Sequence, residues 1–218
     1  DISPFISFLR PGGPKMFKYQ ESGWPNSLLT MKLRLFSDSE ITDSPKEHKP
    51  MWAGTVQFNP SYGDNRPPQI FTVPNEVTKV EFVAYITGHG WGSAGCYNCA
   101  EFCNSKHLFS LNGGVYEFDT SYPNASDNDY CMQIETIAEG VIPNQYGTWG
   151  YGRAGWCPGL DVDPYVVDIT SYVEVGEENV LDYSACRVSG NSCLTPPTCQ
   201  GDGYCPEIAF SSYIIYYY

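Results

Sequence analysis

Hydrophobic and polar positions alternate with a period of two at several places along the chain. Met31–Phe36 reads Met-Lys-Leu-Arg-Leu-Phe, a half-buried strand pattern. Lys79–Ile86 places Val80 and Phe82, and with them Ala84 and Ile86, on one face. His107–Leu111 alternates again, and its histidine shares a face with Phe109 and Leu111, so His107 reads as half-buried core before it reads as a ligand. Tyr213–Tyr218 reads Tyr-Ile-Ile-Tyr-Tyr-Tyr, a strong β former with apolar groups on both faces. Clusters of Gly, Pro, Asn and Asp separate these runs, and no stretch keeps helical periodicity for three turns. The pattern predicts an all-β, antiparallel jelly-roll β-sandwich with little helix.

Two organisational features follow. Asp1-Ile2-Ser3-Pro4-Phe5 is echoed by Asp168-Ile169-Thr170-Ser171-Tyr172, and each phrase leads through a glycine turn towards a later strand. Either this is a common strand-to-turn phrase, or the chain holds the closing strands of two similar sandwiches. The second reading divides the chain into 1–40, the terminal strands of an incomplete first sandwich; 41–66, a polar crossing; and 67–218, a complete jelly roll with a Cys-rich insertion over 186–205.

Composition narrows the chemistry. Of 218 residues only 17% are charged and 15% are aromatic, with 21 Gly and 17 Pro, as in a turn-rich sandwich. A formal net charge of −13 argues against nucleic acid and anionic membrane surfaces as partners, because both need a basic face. No apolar run reaches the roughly 18 residues needed to span a bilayer. The first residue is Asp1, with no charged-then-apolar leader behind a Met, which fits a mature or cleaved product. Nine cysteines point to an oxidising, secreted location. Their odd number leaves one thiol free, joined to another chain, or joined to a segment outside this one. Asn124-Ala125-Ser126 is a glycosylation sequon suited to a surface loop. Cys96, Cys99 and Cys103 admit a zinc reading, but no histidine stands at finger spacing to complete it. The three histidines, His48, His89 and His107, form no close pair, and no Gly-x-Ser-x-Gly elbow exists. Neither a metal nor a cofactor is expected.

Two segments are distinctive. One runs Ile86-Thr87-Gly88-His89-Gly90-Trp91-Gly92, then Cys99-Ala100-Glu101-Phe102-Cys103, then His107 and Asn112. The other is Gly147-Thr148-Trp149-Gly150-Tyr151-Gly152-Arg153-Ala154-Gly155-Trp156-Cys157-Pro158-Gly159. Together they resemble the peptide-N-glycosidase F family, enzymes that cleave the amide between an N-linked glycan and asparagine. The resemblance is well carried over residues 65–175 and more weakly over Asp1–Phe36. It implies two packed jelly rolls with the active site at their junction. The family's principal catalytic aspartate belongs to the first domain and finds no counterpart here. Glu101 corresponds to an assisting glutamate, Arg153 and Trp156 to the arginine and tryptophan of the second motif, and Glu21 with Trp24 to a further Glu–Trp pair whose spacing is one residue longer here. The family order Gly-Trp-Gly-His stands here as Gly-His-Gly-Trp, so His89 and Trp91 exchange places.

The resemblance implies disulfides Cys99–Cys103 and Cys131–Cys157, and leaves Cys96, Cys186, Cys193, Cys199 and Cys205 without an assigned partner. A Cys99–Cys103 bridge would contribute roughly 2 kcal/mol through loop entropy, so its larger effect would be to fix the direction of the Glu101 carboxylate. Without such a constraint Glu101 is a solvated surface charge. Arg153 lies between Trp149 and Trp156. It either grips a sugar whose apolar face stacks on the rings, or forms a structural ion pair beneath them.

Three functions fit: an N-glycan amidase or part of one, acting on an N-linked glycan or glycoprotein; a structural subunit that completes its first sandwich with copies of itself or with a missing N-terminal half, building filaments by strand addition at an edge-like Tyr213–Tyr218; and a glycan-binding module that kept the pocket without the chemistry.

Overall fold

A computed structural model of the chain describes residues 2–19, 30–35, 44–90, 94–133, 147–199 and 204–218. Its strands are β1 (Glu47–Pro50), β2 (Thr55–Gln57), β3 (Gln69–Thr72), β4 (Lys79–His89), β5 (Ser105–Leu111), β6 (Tyr116–Ser121), β7 (Tyr165–Asp168), β8 (Glu178–Ser189), β9 (Ser192–Leu194) and β10 (Glu207–Tyr217). They pair antiparallel in two sheets. One has the order β1-β10-β4-β7, with β2 also on β10; the other has the order β3-β8-β5-β6, with β9 on the end of β8. Setting aside the short β2 and β9, consecutive strands pass between the sheets except at the β5–β6 hairpin, which is the order of a jelly roll. Among the described residues helix is limited to α1 (Ile6–Leu9), α2 (Tyr130–Gln133) and a few 3-10 turns.

The long strands form where the alternation is clearest. Along β4 Val80, Phe82, Ala84 and Ile86 face inward, and along β10 Ile208, Phe210, Ile214 and Tyr216 do so. From the opposite sheet Phe109, Leu111, Phe118, Leu181 and Tyr183 meet them. Phe109 is the hub, with ring centroids 4.7 Å from Phe82 and 5.0 Å from Tyr183. Each fully buried ring or branched side chain contributes about 1.5–3 kcal/mol by leaving water.

Polar groups on the inward face are joined in a chain. His107 is fully buried rather than half-buried. Its Nε2 lies 3.1 Å from Ser105 Oγ and its Nδ1 lies 2.7 Å from Tyr183 Oη, which in turn is 3.0 Å from Tyr62 Oη. Arg66 ends the group by donating to the carbonyls of Ala53 and Gly54. A buried polar atom left unpaired costs about 1–3 kcal/mol; the Ser105, His107, Tyr183 and Tyr62 side chains are partnered, while Arg66 Nε is buried without a partner.

Several expectations are revised. Residues 31–35 are exposed and form no strand despite their alternation, because no strand among the described residues pairs with them. Glu21, Trp24 and Phe36 lie outside the described residues. The segment 41–66 is not a bare crossing, since β1 and β2 lie within it and both pair with β10. Tyr213–Tyr218 is not an edge. β10 pairs with β4 along its whole length, from Glu207 opposite His89 to Tyr217 opposite Lys79, and with β1 and β2 on its other side. Strand addition there would have to displace existing partners. The Cys-rich insertion is partly regular, because Cys186 belongs to β8 and Cys193 to β9.

The echoed phrase is real as local geometry: Ser3–Phe5 and Thr170–Tyr172 each form a 3-10 turn, led by Ile2 and Ile169 with closely similar backbone angles. The chains then part, since the first enters α1 and the second becomes extended at Val173. The first turn drops Phe5 onto the outer face of the β10 sheet, 4.6 Å from the Tyr213 ring.

One close approach sets up the site. A Cβ on Gly88 would collide with the Ala100 carbonyl and lie 3.0 Å from the Ala154 Cβ, so glycine at the end of β4 lets two loops close on the strand from different directions. Gly88→Ala is therefore expected to lower stability by at least about 2 kcal/mol, measured by equilibrium unfolding in urea. A variant as stable as the parent would show that the loops need not meet there.

Burial also holds the His107 pKa at about 3, below the ordinary 6.5. Between these values the unfolded chain binds a proton that the folded chain refuses, so this contribution is intact above pH 6.5 and is lost as pH falls towards 3. Unfolding curves of His107→Gln should depend less on pH over that window than those of the parent; parallel pH profiles would contradict the assignment.

Candidate functional site

The end of β4 organises the site through backbone bonds. Gly88 donates to the Ala154 carbonyl, Glu101 N–H donates to the Gly90 carbonyl, and Ala154 N–H donates to the Glu101 carbonyl. The loop after β4 and the turn 147–159 are thereby stitched to the strand and to each other. Two disulfides tighten the stitching: Cys99 is joined to Cys103 across Glu101, and Cys131 to Cys157 beside Trp156. A loop of the second size contributes about 3.5 kcal/mol by restricting the unfolded chain.

Within this frame Arg153 Nε donates to Glu101 Oε1 at 2.8 Å, and the two side chains are 2% and 14% exposed. The guanidinium also donates to the carbonyls of Tyr151 and Trp149, at 3.1 and 3.4 Å. It lies 4.9 Å from the Trp156 ring centroid and 5.1 Å from that of Phe102. Trp156 is pinned in turn by its indole N–H, which donates to the Gly88 carbonyl at 2.8 Å. His89 leans on the other partner of this group, with ring centroids 5.2 Å from Trp156, and its Nε2 lies 2.8 Å from Thr87 Oγ1. Burial lowers the His89 pKa, and the negative charges of Glu101 and Glu207 oppose that shift.

These side chains open into a hollow of about 1060 Å³, walled by His89, Glu101, Phe102, Arg153, Trp156 and Glu207 among others. Its volume suits a ligand the size of a short oligosaccharide. A second, smaller hollow of about 650 Å³ is also lined by Arg153 and Trp156. Asn124 is exposed on a turn at its edge, so the sequon is sterically open.

The structure thus brings Glu101, Arg153, Trp156 and His89 together. Trp149 differs: it gives Arg153 its carbonyl, and its side chain is not part of the wall of the larger hollow. Trp91 and Glu21 lie outside the described residues. Of the remaining cysteines, Cys186 pairs with Cys193 and Cys199 with Cys205, while Cys96 is a buried free thiol. Among the described residues no group of three or more His, Cys, Asp or Glu side chains is arranged to hold a metal ion, and no described helix is long and apolar enough to cross a membrane.

Sequence reasoning missed Glu207, Tyr204, Asn98 and Ser126, all of which line the hollow. Glu207 comes from the first position of the last strand, and only the β10–β4 register reveals it. Asn98 and Ser126 have φ of 57° and 76°, a left-handed backbone that is uncommon outside glycine and that clusters where loops converge on sites.

Comparison with known proteins places this geometry. A relative named peptide-N(4)-(N-acetyl-β-D-glucosaminyl)asparagine amidase F, from Elizabethkingia miricola, is 28% identical over 132 residues, covering 58% of this chain and 31% of that protein. A crystal structure of peptide-N(4)-(N-acetyl-β-D-glucosaminyl)asparagine amidase superposes with a TM-score of 0.50 at 21% identity, over 79% of this chain and 53% of that one. PNGF-II superposes with a TM-score of 0.53 at 14% identity, over 82% of this chain and 30% of its own. The chain therefore spans a third to about half of these proteins, and the two structures support the sandwich fold. The family model described as peptide-N-glycosidase F, C terminal, matches residues 57–215, and the chain belongs to that family.

Proposed function

We propose that the larger hollow is the glycan-holding part of an N-glycan amidase site. The observation that carries this reading is the Glu101–Arg153 ion pair, closed at 2.8 Å beside Trp156 inside a sugar-sized hollow. In the proposal Trp156 stacks on the apolar face of a sugar ring. Arg153 holds Oε1 of Glu101, and Oε2 is the oxygen assigned to the substrate. Amide hydrolysis needs a carboxylate to move a proton and a donor to meet the developing oxyanion. Glu101 supplies the first as an assisting group and Arg153 contributes to the second. The resemblance assigns the principal aspartate to the family's first domain, so these 218 residues carry the gripping and assisting side of the reaction. The name of the Elizabethkingia miricola relative supports an N-glycan or glycoprotein as ligand. Four disulfides among the described residues support an oxidising, extracellular setting.

A binding module without chemistry shares the first half of this reading and is separated from it by glycan release. Titration of the chain with N,N′-diacetylchitobiose, followed by tryptophan fluorescence, should saturate. Arg153→Ala should weaken binding at least about tenfold, because it removes charge-assisted hydrogen bonds and unpairs Glu101. Glu101→Gln should weaken binding less than Arg153→Ala and lower glycan release from a denatured glycoprotein below the wild-type level. A wild-type protein that gives no response to chitobiose would falsify the proposal.

A further inference from the structure

The hollow has a stretch of wall that neither distinctive motif supplies. Glu207 opens β10, and its partner in β4 is His89. Directly opposed residues of an antiparallel pair stand side by side on one face, so this carboxylate and this imidazole form a cross-strand pair, and both line the hollow. Just before Glu207 come Tyr204 and Cys205, which also line it. The Cys199–Cys205 disulfide closes the loop that carries Tyr204. Cys205 and Pro206 sit against the chain just past β4: a Cβ on Gly90 would collide with the Cys205 carbonyl and lie 3.2 Å from the Pro206 Cα. Tyr204 is 69% exposed at the rim, with its ring accessible to a ligand.

The chemistry of this wall is that of saccharide recognition. Trp156 gives one aromatic surface and Tyr204 a second. Glu207 gives a carboxylate, the strongest acceptor for hydroxyl and amide N–H groups. His89 lies between Trp156 and Glu207, held at Nε2 by Thr87, and burial favours its uncharged form, so it does not neutralise that acceptor. Arg153 offsets the charge of Glu101, so Glu207 leaves the lining with a net negative charge, and the hollow suits an uncharged, hydroxyl-rich ligand better than an anionic one.

We infer that Glu207 and Tyr204, backed by His89, form a second sugar-recognition wall, contributed by Tyr204–Cys205 and the start of the last strand, which determines which saccharide the hollow accepts. The inference rests on the glycan reading above and adds residues to it.

Calorimetric titration with N,N′-diacetylchitobiose tests it. Glu207→Gln keeps the shape of the side chain and removes its charge, and should weaken binding about tenfold. Tyr204→Ala, at an exposed position, should weaken it about fivefold. Thermal melting of each variant confirms that the sandwich is intact. If wild type binds, Arg153→Ala fails to bind, and both new variants match wild type, the second wall is wrong and the glycan reading stands. If wild type itself gives no binding heat, both fall together.

Discussion

A guanidinium with 2% of its side chain exposed has to be neutralised where it sits, because an unpaired buried charge costs several kcal/mol. That requirement governs the candidate site. Arg153 can occupy its turn only if Glu101 arrives from a loop 52 residues earlier in the chain, and Glu101 can arrive only if its own loop is held down. The Cys99–Cys103 link, the bond from Glu101 N–H to Gly90, and the bond from Ala154 N–H to Glu101 all serve that one juxtaposition. Trp156 and Phe102 enclose the guanidinium with π faces, which strengthen the attraction and keep water away.

The sandwich supplies the rigidity that such a pair needs. β4 and β10 are paired along eleven positions, so the ends of both strands are fixed relative to one another to within the precision of a sheet. The site is built on those ends: Gly88 and His89 on one strand with Gly90 just beyond it, Glu207 on the other. The buried Ser105–His107–Tyr183–Tyr62 row holds the opposite sheet in register beneath them. Catalytic and binding groups on strand ends are better placed than groups on free loops, and here the loops are tied to the end of β4 by backbone bonds and braced by disulfides of their own.

Much of this was legible from residue patterns. The alternation of Lys79–Ile86 and His107–Leu111 marked two core strands, because each face of those strands meets a uniform environment. Cysteines flanking Glu101, and an arginine between tryptophans, marked the two halves of the pair. The misreadings have physical causes. Met31–Leu35 alternates, but alternation records only a capacity for two-sided packing and needs a partner strand to be realised. Glu47–Pro50 and Thr55–Gln57 are too short and too polar to stand out, and they are strands because β10 offers hydrogen bonds to them. The apolar groups on both faces of Tyr213–Tyr217 meant an interior strand covered on its outer side by Phe5, not an open edge. Glu207 carries no local signal, since its relation to the site exists only through its pairing with His89.

The claim on which the account turns is that Glu101 and Arg153 hold each other in place. A double-mutant cycle on the unfolding free energy, using Glu101→Gln, Arg153→Met and the double variant, measures it most directly. The account predicts that each single change is strongly destabilising and that the second change costs little once the first is made, with a coupling energy of about 2–3 kcal/mol. Single effects that add to within about 0.5 kcal/mol would show that the two side chains do not depend on one another, and would contradict it.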